Sequence, residues 1–313
     1  MVKNSFLKCP FNYIGGKHKL LPQLFNLFPK DISTFVDMFG GGFNVGININ
    51  ANKLIYNDQI TPLVELYKYF QSNTTENILN YIHTTIKDYN IKKEEKEGFL
   101  KFREAYNKNS VKNPLDLYIL ISFSFNYQIR FNNSREYNCP HGTNRSSFTT
   151  NMEKRLISFI EKIQSQNIEF YDYDFKDLNY SILDDKSLVY CDPPYLITNG
   201  SYNDGNRGFK NWTLKEEKEL LNILDELNKN KIKFALSNVT EHDGKMNDLL
   251  IDWIKKNNYN VETIKSDYSN SNYQKNSKNS KNDINSKKNN KNKEVLVYNF
   301  KKQALQSTLE HFD

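Results

Sequence analysis

The chain has 313 residues, 38% of them hydrophobic and 26% charged, enough to bury a full core as one large domain or two modest ones. Its longest apolar stretches, such as residues 117–122, are far too short for a membrane span, and its first residues lack a signal-peptide pattern. Three scattered cysteines, Cys9, Cys139 and Cys191, fit a reducing cytoplasm and argue against a disulfide framework or a zinc site. The formal charge of +6 is local: residues 269–293 hold seven lysines and one aspartate, so the remainder is formally neutral.

In chain order, residues 17–28 carry helical spacing, with Leu20, Leu21, Leu24, Leu27 and Phe28 on one side. Thr34-Phe35-Val36-Asp37-Met38-Phe39 reads as a strand, followed by Gly40-Gly41-Gly42 and a helix expected over residues 43–50. Leu54-Ile55-Tyr56-Asn57-Asp58 is a second strand, after which Thr61 is the expected N-cap and Pro62 the first helical residue. Strand, turn, helix and strand make a βαβ unit, so this part of the sheet should be parallel. Residues 61–165 hold helical stretches and no convincing strand. Strands are then expected over 168–173, 188–191 and 232–238, with helices over 213–230 and 245–257. Residues 259–265 and 294–300 read as strands joined by a swollen loop. Twenty-one of the 25 residues in 269–293 are Asn, Ser or Lys, a low-complexity basic segment with almost nothing to bury. The class is α/β, divided into a sheet-forming part (1–60 and 166–313) and a helical insert (61–165).

Three motifs carry chemistry. Asp192-Pro193-Pro194-Tyr195 directly follows an apolar strand, and two prolines can neither continue a ladder nor enter a helix interior. A rigid turn at a strand's carboxyl end lies where open α/β sheets bind ligands. Its acid and carbonyls can accept hydrogen bonds from a planar amine while the ring stacks on the attached heterocycle. Read alone, the alternative is a loop with a solvated aspartate and a packed tyrosine. The glycine turn lets a ligand approach the backbone, but it is not the dinucleotide fingerprint, whose third glycine would fall at Val45. Asp58, ending the next strand, is placed to bind ribose hydroxyls, or else the pair is a tight packing turn with an exposed aspartate. Asn12-Tyr13-Ile14-Gly15-Gly16-Lys17 leads into a helix, and Lys17 there offers a cation to a carboxylate or phosphate, or is simply solvated.

Together these motifs resemble the Dam-like, D12-class (α-group) DNA adenine-N6 methyltransferases. Tyr13 to Lys17 match the aromatic-x-Gly-Gly-Lys motif, Phe39 and Gly41 match Phe-x-Gly-x-Gly, Asp58 matches the acid of the second strand, and Asp192 to Tyr195 match DPPY. The run FNYQIRFNNSREYNCPHG resembles the family's recognition loop, with Asn126, Arg130, Asn138, Pro140 and Gly142 at its recurring positions. Two departures stand out: Phe43 replaces the last glycine of Phe-x-Gly-x-Gly, with Gly42 available to serve instead, and the basic loop is longer than the family's usual form.

The resemblance implies a Rossmann-like, mostly parallel methyltransferase domain with an inserted helical target-recognition domain. It implies S-adenosylmethionine as cofactor, held by Tyr13, Lys17, Phe39, Gly41, Asp58 and Asp192, with no metal required. Asp192, Pro193 and Tyr195 would be catalytic, acting on an adenine flipped out of a short target such as GATC. Arg130 is the candidate reader of guanine, or else a phosphate contact, with Asn126, Asn138 and Pro140 beside it. Double-stranded DNA is the implied partner, with a cognate restriction endonuclease as a second; the expected location is cytoplasmic, at the nucleoid. The competing readings are methylation of RNA or of a protein glutamine, and a catalytically idle DNA-binding homologue.

Overall fold

Apolar residues spaced two apart, flanked by turn formers, build the sheet at the centre of the molecule. The structure, a computed structural model, describes residues 6–198, 212–265 and 293–302. Its strands are β1 (Thr34–Asp37), β2 (Lys53–Asn57), β3 (Ile168–Tyr171), β4 (Leu188–Cys191), β5 (Lys233–His242), β6 (Lys245–Met246), β7 (Asn260–Thr263) and β8 (Lys293–Tyr298). They lie in the order β3-β2-β1-β4-β5-β8-β7, with β6 paired to β5 off that path. Neighbours from β3 to β5 are parallel, whereas β8 runs antiparallel to both β5 and β7. The basic segment 269–293 lies outside the described residues except for Lys293, but the two strands flanking it do pair as read from sequence.

Strand alternation splits the core into two layers. Phe35, Leu54, Tyr56, Leu188, Tyr190, Ala235 and Leu296 face one cluster, while Val36, Ile55, Val189, Cys191, Phe234, Leu236 and Val297 face the other. Both faces are covered, so the strands read as continuous apolar runs. The first face is covered by α1 (Leu21–Leu27) and by the helical block α2 (Thr61–Ser72), α3 (Thr75–Asp88), α4 (Glu97–Lys108), α5 (Pro114–Phe123) and α6 (Thr150–Gln164). Within it, α5 is buried from Leu115 to Phe123, which is why its sequence shows no amphipathic pattern. The second face carries α7 (Leu214–Lys229) and α8 (Asp248–Asn257). Thr213 and Glu216 form a capping box that fixes the start of α7.

From β1 the chain moves to β2 and β3 on one side and returns to β4 on the other. Chain connections therefore diverge between β1 and β4, opening a crevice at their carboxyl ends.

Several boundaries differ from the sequence reading. The helix expected over residues 43–50 is only a 3-10 turn, Gly46–Asn48, because Gly41 and Phe43 both adopt left-handed backbone, with φ of 47° and 54°. Gly42 does not take the role of the missing glycine; Phe43 takes that conformation itself. Thr61 is the first residue of α2 and Ile60 its N-cap, with no side-chain capping bond. Residues 245–246 pair with β5, and the helix begins at Asp248. The segment 17–28 is a 3-10 turn, His18–Leu20, running into the shorter α1. Two isolated bridges, Ser124 to His141 and Phe131 to Tyr137, appear in the otherwise helical block.

Phe43 offsets its strained backbone by packing. Its ring is fully buried, edge-on to Tyr56 at 4.9 Å and near Phe170 at 6.0 Å. Left-handed backbone costs about 1–2 kcal/mol, whereas removing a buried phenyl ring costs about 3–5 kcal/mol. Phe43→Gly should therefore lower stability by about 2–3 kcal/mol net, read from the urea unfolding midpoint. A midpoint at or above that of the parent would show that strain outweighs packing.

Candidate active site

The crevice between β1 and β4 collects the three motifs from distant parts of the sequence. The glycine turn leaves β1, the Asp192 turn leaves β4, and the N-terminal motif lies across both. The Tyr13 ring packs against the turn so closely that a Cβ on Gly41 would sit 2.5 Å from it. Gly41 is pinned on both sides. Its N–H donates to Asp58 Oδ2 at 2.9 Å, and its carbonyl accepts from the Tyr56 and Tyr67 hydroxyls at 2.8 and 3.2 Å. Asp58 Oδ1 accepts from the Ile60 N–H at 2.9 Å, so this carboxylate is oriented by two backbone donors. Phe39 turns toward the second face, beside Phe175 at 5.6 Å and Trp212 at 5.5 Å.

Lys17 is not solvated. Its side chain is 6% exposed, and its ammonium lies 2.8 Å from Asp192 Oδ2, 3.1 Å from the Gly15 carbonyl and 3.6 Å from Glu294 Oε1. A buried cation needs such partners, because desolvation without them costs far more than folding can absorb. The anion that relieves Lys17 at its helix start is thus supplied by the chain itself. The Tyr195 hydroxyl lies 3.0 Å from Asp192 Oδ1 and 3.1 Å from Glu294 Oε1, and the Lys17 ammonium is 5.3 Å from the centre of its ring. Asp192 keeps 18% of its side chain exposed, the opening through which a reacting group can reach it. Burial pushes its carboxyl above the usual carboxylate range; Lys17 pulls it back and Glu294 adds to the rise.

Asp37 ends β1 in the same crevice, 2% exposed, with Oδ2 accepting from the Gly46 N–H at 3.0 Å. Burial raises its carboxyl to about 7, and the neighbouring Asp192 and Asp58 charges push the same way. The sequence reading used Asp37 only as a strand residue. Glu294 was likewise read only as the start of a strand. Its available signal was a charged side chain on an otherwise apolar, inward-facing run, Glu294-Val295-Leu296-Val297.

The recognition-loop residues form a separate group at the end of α5. Arg130 Nε and Nη2 donate to the Asn138 side-chain and backbone oxygens, both at 2.9 Å, and the Asn138 N–H returns a bond to Arg130 at 3.0 Å. Arg130 is therefore half-buried and held by Asn138. The Pro140 carbonyl accepts from Phe125, and the Asn126 carbonyl accepts from Asn12 at 3.3 Å. Asn126 has left-handed φ of 55°. Exposed Phe125 carries the Arg145 guanidinium 5.4 Å from its ring centre, a pair not singled out from sequence. All three cysteines are buried free thiols. Among the described residues no group of three or more His, Cys, Asp or Glu side chains could hold a metal ion, and no helix is long and apolar enough to cross a membrane.

Comparison with known proteins places this geometry. The family model described as D12 class N6 adenine-specific DNA methyltransferase matches residues 13–266. The chain is 52% identical over 270 residues to the type II methyltransferase M.FokI of Planomicrobium okeanokoites, covering 86% of this chain and 41% of that one. It is 48% identical over 300 residues to the modification methylase StsI of Streptococcus sanguinis, covering 96% and 44%. It is 38% identical over 258 residues to the modification methylase LlaI of Lactococcus lactis, covering 82% and 41%. The chain thus spans less than half the length of these curated relatives.

The raised Asp37 carboxyl has a consequence for stability. Its folded-state value of about 7 lies above the usual aspartate value of 3.8, so ionising it opposes folding. Its contribution is greatest at low pH, declines through the window from about 4 to about 7, and is constant above it. Asp37→Asn keeps an acceptor for Gly46 and removes this titration. Urea unfolding at pH 5 and pH 8 should show the variant gaining on the parent by about 1–3 kcal/mol as pH rises. A difference independent of pH would mean that Asp37 ionises freely.

Proposed function

The chain belongs to the D12 class of N6 adenine-specific DNA methyltransferases, and from that premise we propose that it methylates N6 of an adenine extruded from double-stranded DNA. The observation that carries the reading is Asp192. Its carboxylate sits on a double-proline turn at the carboxyl end of β4, partly open to the crevice and fixed from behind by Lys17 and Tyr195. The strand order outward from β1 supports a Rossmann-like arrangement, whose ligands bind in this crevice. The helical block 61–165 then serves as the target-recognition part.

The cleft suits S-adenosylmethionine by the chemistry of its side chains. Asp192 and Glu294 meet the Lys17 ammonium, and Asp37, whose carboxyl feels the Asp192 and Asp58 charges, adds to an excess of acid that favours a cationic ligand. Asp58, oriented by its two backbone donors, would accept from the ribose hydroxyls, with Tyr13, Phe39 and Gly41 lining the approach and Lys17 facing the carboxylate end. When bound, S-adenosylmethionine supplies a methyl group already activated on a sulfonium, so this reading requires no metal.

The remaining work is positioning. Asp192 and the Pro193 carbonyl accept hydrogen bonds from the adenine amine, favouring a more tetrahedral nitrogen whose lone pair is available. Tyr195 is the stacking ring of this reading; it is buried with its hydroxyl at Asp192 and Glu294, so stacking on the base requires that a face of the ring open to the crevice. Arg130, Asn126, Asn138 and Pro140 face the DNA, and Arg145 on Phe125 adds a further cation. The name modification methylase carried by relatives supports a modification role, this reading adds a cognate restriction endonuclease as partner, and buried free thiols are in keeping with a cytoplasmic setting.

Single-molecule sequencing of DNA from expressing cells should reveal methylated adenines in one sequence context. Asp192→Ala should reduce transfer by about 10²–10³-fold or more, while Lys17 keeps Glu294 as counter-charge and the fold survives. Near-parental turnover in that variant removes Asp192 from the chemistry.

For the target, Arg130→Ala should cost about 1–3 kcal/mol of binding and relax preference at one guanine position, measured by competition between single-base variants of the site. Uniform weakening on every sequence would assign Arg130 to phosphate.

A further inference from the structure

We infer that Glu294 is a positioning residue of the transfer reaction, receiving the Lys17 ammonium and the Tyr195 hydroxyl as Asp192 engages the substrate amine. The inference rests on the methyl-transfer reading above. Nothing in the motifs assigns Glu294: it comes from β8, far in sequence from both the glycine turn and the Asp192 turn, yet its side chain is 3% exposed beside Lys17 and Asp192.

The argument is one of competing acceptors. A phenol has a single proton to donate. The Tyr195 oxygen lies 3.0 Å from Asp192 and 3.1 Å from Glu294, so its proton serves one carboxylate at a time. Lys17 lies closer to Asp192, at 2.8 Å, than to Glu294, at 3.6 Å. Two carboxylates therefore share the same two donors, with Asp192 favoured for the ammonium. An amine entering from the crevice donates to Asp192 and weakens its hold on both. A shift of less than about an ångström brings either donor fully to Glu294, with no loss of pairing for a buried charge. Asp192 is then an acceptor for substrate instead of a partner wholly committed to Lys17.

The backbone of Glu294 suits a fixed post. β8 lies between β5 and β7, and the Glu294 carbonyl accepts from the Ile264 N–H at 2.9 Å. The bland alternative is a structural counter-ion for Lys17. Glu294→Asp separates the two, because it keeps the counter-charge while drawing it back from both donors, and the pH profile reports the coupling, since the Glu294 charge raises the Asp192 carboxyl. The other groups facing Asp192 are Lys17 from the N-terminal segment, Asp37 from β1, Tyr190 and Cys191 from β4, and Tyr195; the variants below leave all of these in place.

The experiment measures methyl transfer to DNA against pH for the parent chain, Glu294→Gln and Glu294→Asp, with thermal melts alongside. Glu294→Gln should lower kcat by roughly 10–100-fold with KM for S-adenosylmethionine and DNA nearly unchanged. Its acid limb should move to lower pH by roughly half a unit to one unit, because Asp192 loses a repelling charge. Glu294→Asp keeps the charge but draws it back from both donors, so kcat should fall with the limb unmoved. A parental rate in Glu294→Gln, or a lower rate with an unmoved limb, overturns the inference and leaves methylation standing. If Glu294→Gln lacks a cooperative melt, a parental kcat in Glu294→Asp overturns the inference. A parent chain without any transfer overturns the functional reading beneath it, and the two failures are thereby distinct.

Discussion

One buried ammonium holds the site together. Lys17 cannot remain charged away from water unless carboxylates meet it, and those carboxylates arrive on β4 and β8. The pairing therefore ties the N-terminal segment to the middle of the sheet and the middle of the sheet to its last-formed ladder. It also decides which way the DPPY turn faces. With Lys17 on one oxygen of Asp192 and Tyr195 on the other, the carboxylate has one accessible side, and that side is the crevice.

The glycine turn obeys a different constraint. Gly41 must present its N–H to Asp58 and its carbonyl to two tyrosines while Tyr13 lies against it, which leaves no room for a side chain. Two residues later the chain must bend the same unusual way, and here a phenylalanine does what a glycine would do more easily. Burial among aromatic rings makes that tolerable. The glycine turn is thus stiffened by packing beneath it as well as by the hydrogen bonds of Gly41.

Much of this was legible from sequence. The strand over 188–191 and the helix over 213–230 were visible because short apolar runs, prolines and helical spacing are local signals. The family motifs identified Lys17, Asp58 and Asp192 as polar residues of one site, and the structure gathers them at one crevice. What local patterns could not show was pairing across the chain. That Lys17 answers to Asp192, that Asn138 holds Arg130, and that Glu294 belongs with the DPPY turn are facts of tertiary contact. The helix expected after the glycine turn failed for a related reason. Its apolar residues Phe43, Val45, Ile47 and Ile49 alternate with period two, and the left-handed backbone at Phe43 depends on rings contributed by β2, α2 and β3.

The placement of β8 has a temporal consequence. This strand enters between β5 and β7, both of which precede it in the chain, so a ribosome makes them before their shared neighbour exists. Until residues 293–298 emerge, β5 and β7 present unpaired edges, and such edges are sites of misassembly. The same delay leaves Lys17 with Asp192 but without Glu294, so the cluster is completed only by that late insertion. Nascent chains arrested upstream of β8 would hold the DPPY turn and the glycine turn while lacking the final piece of the catalytic cluster.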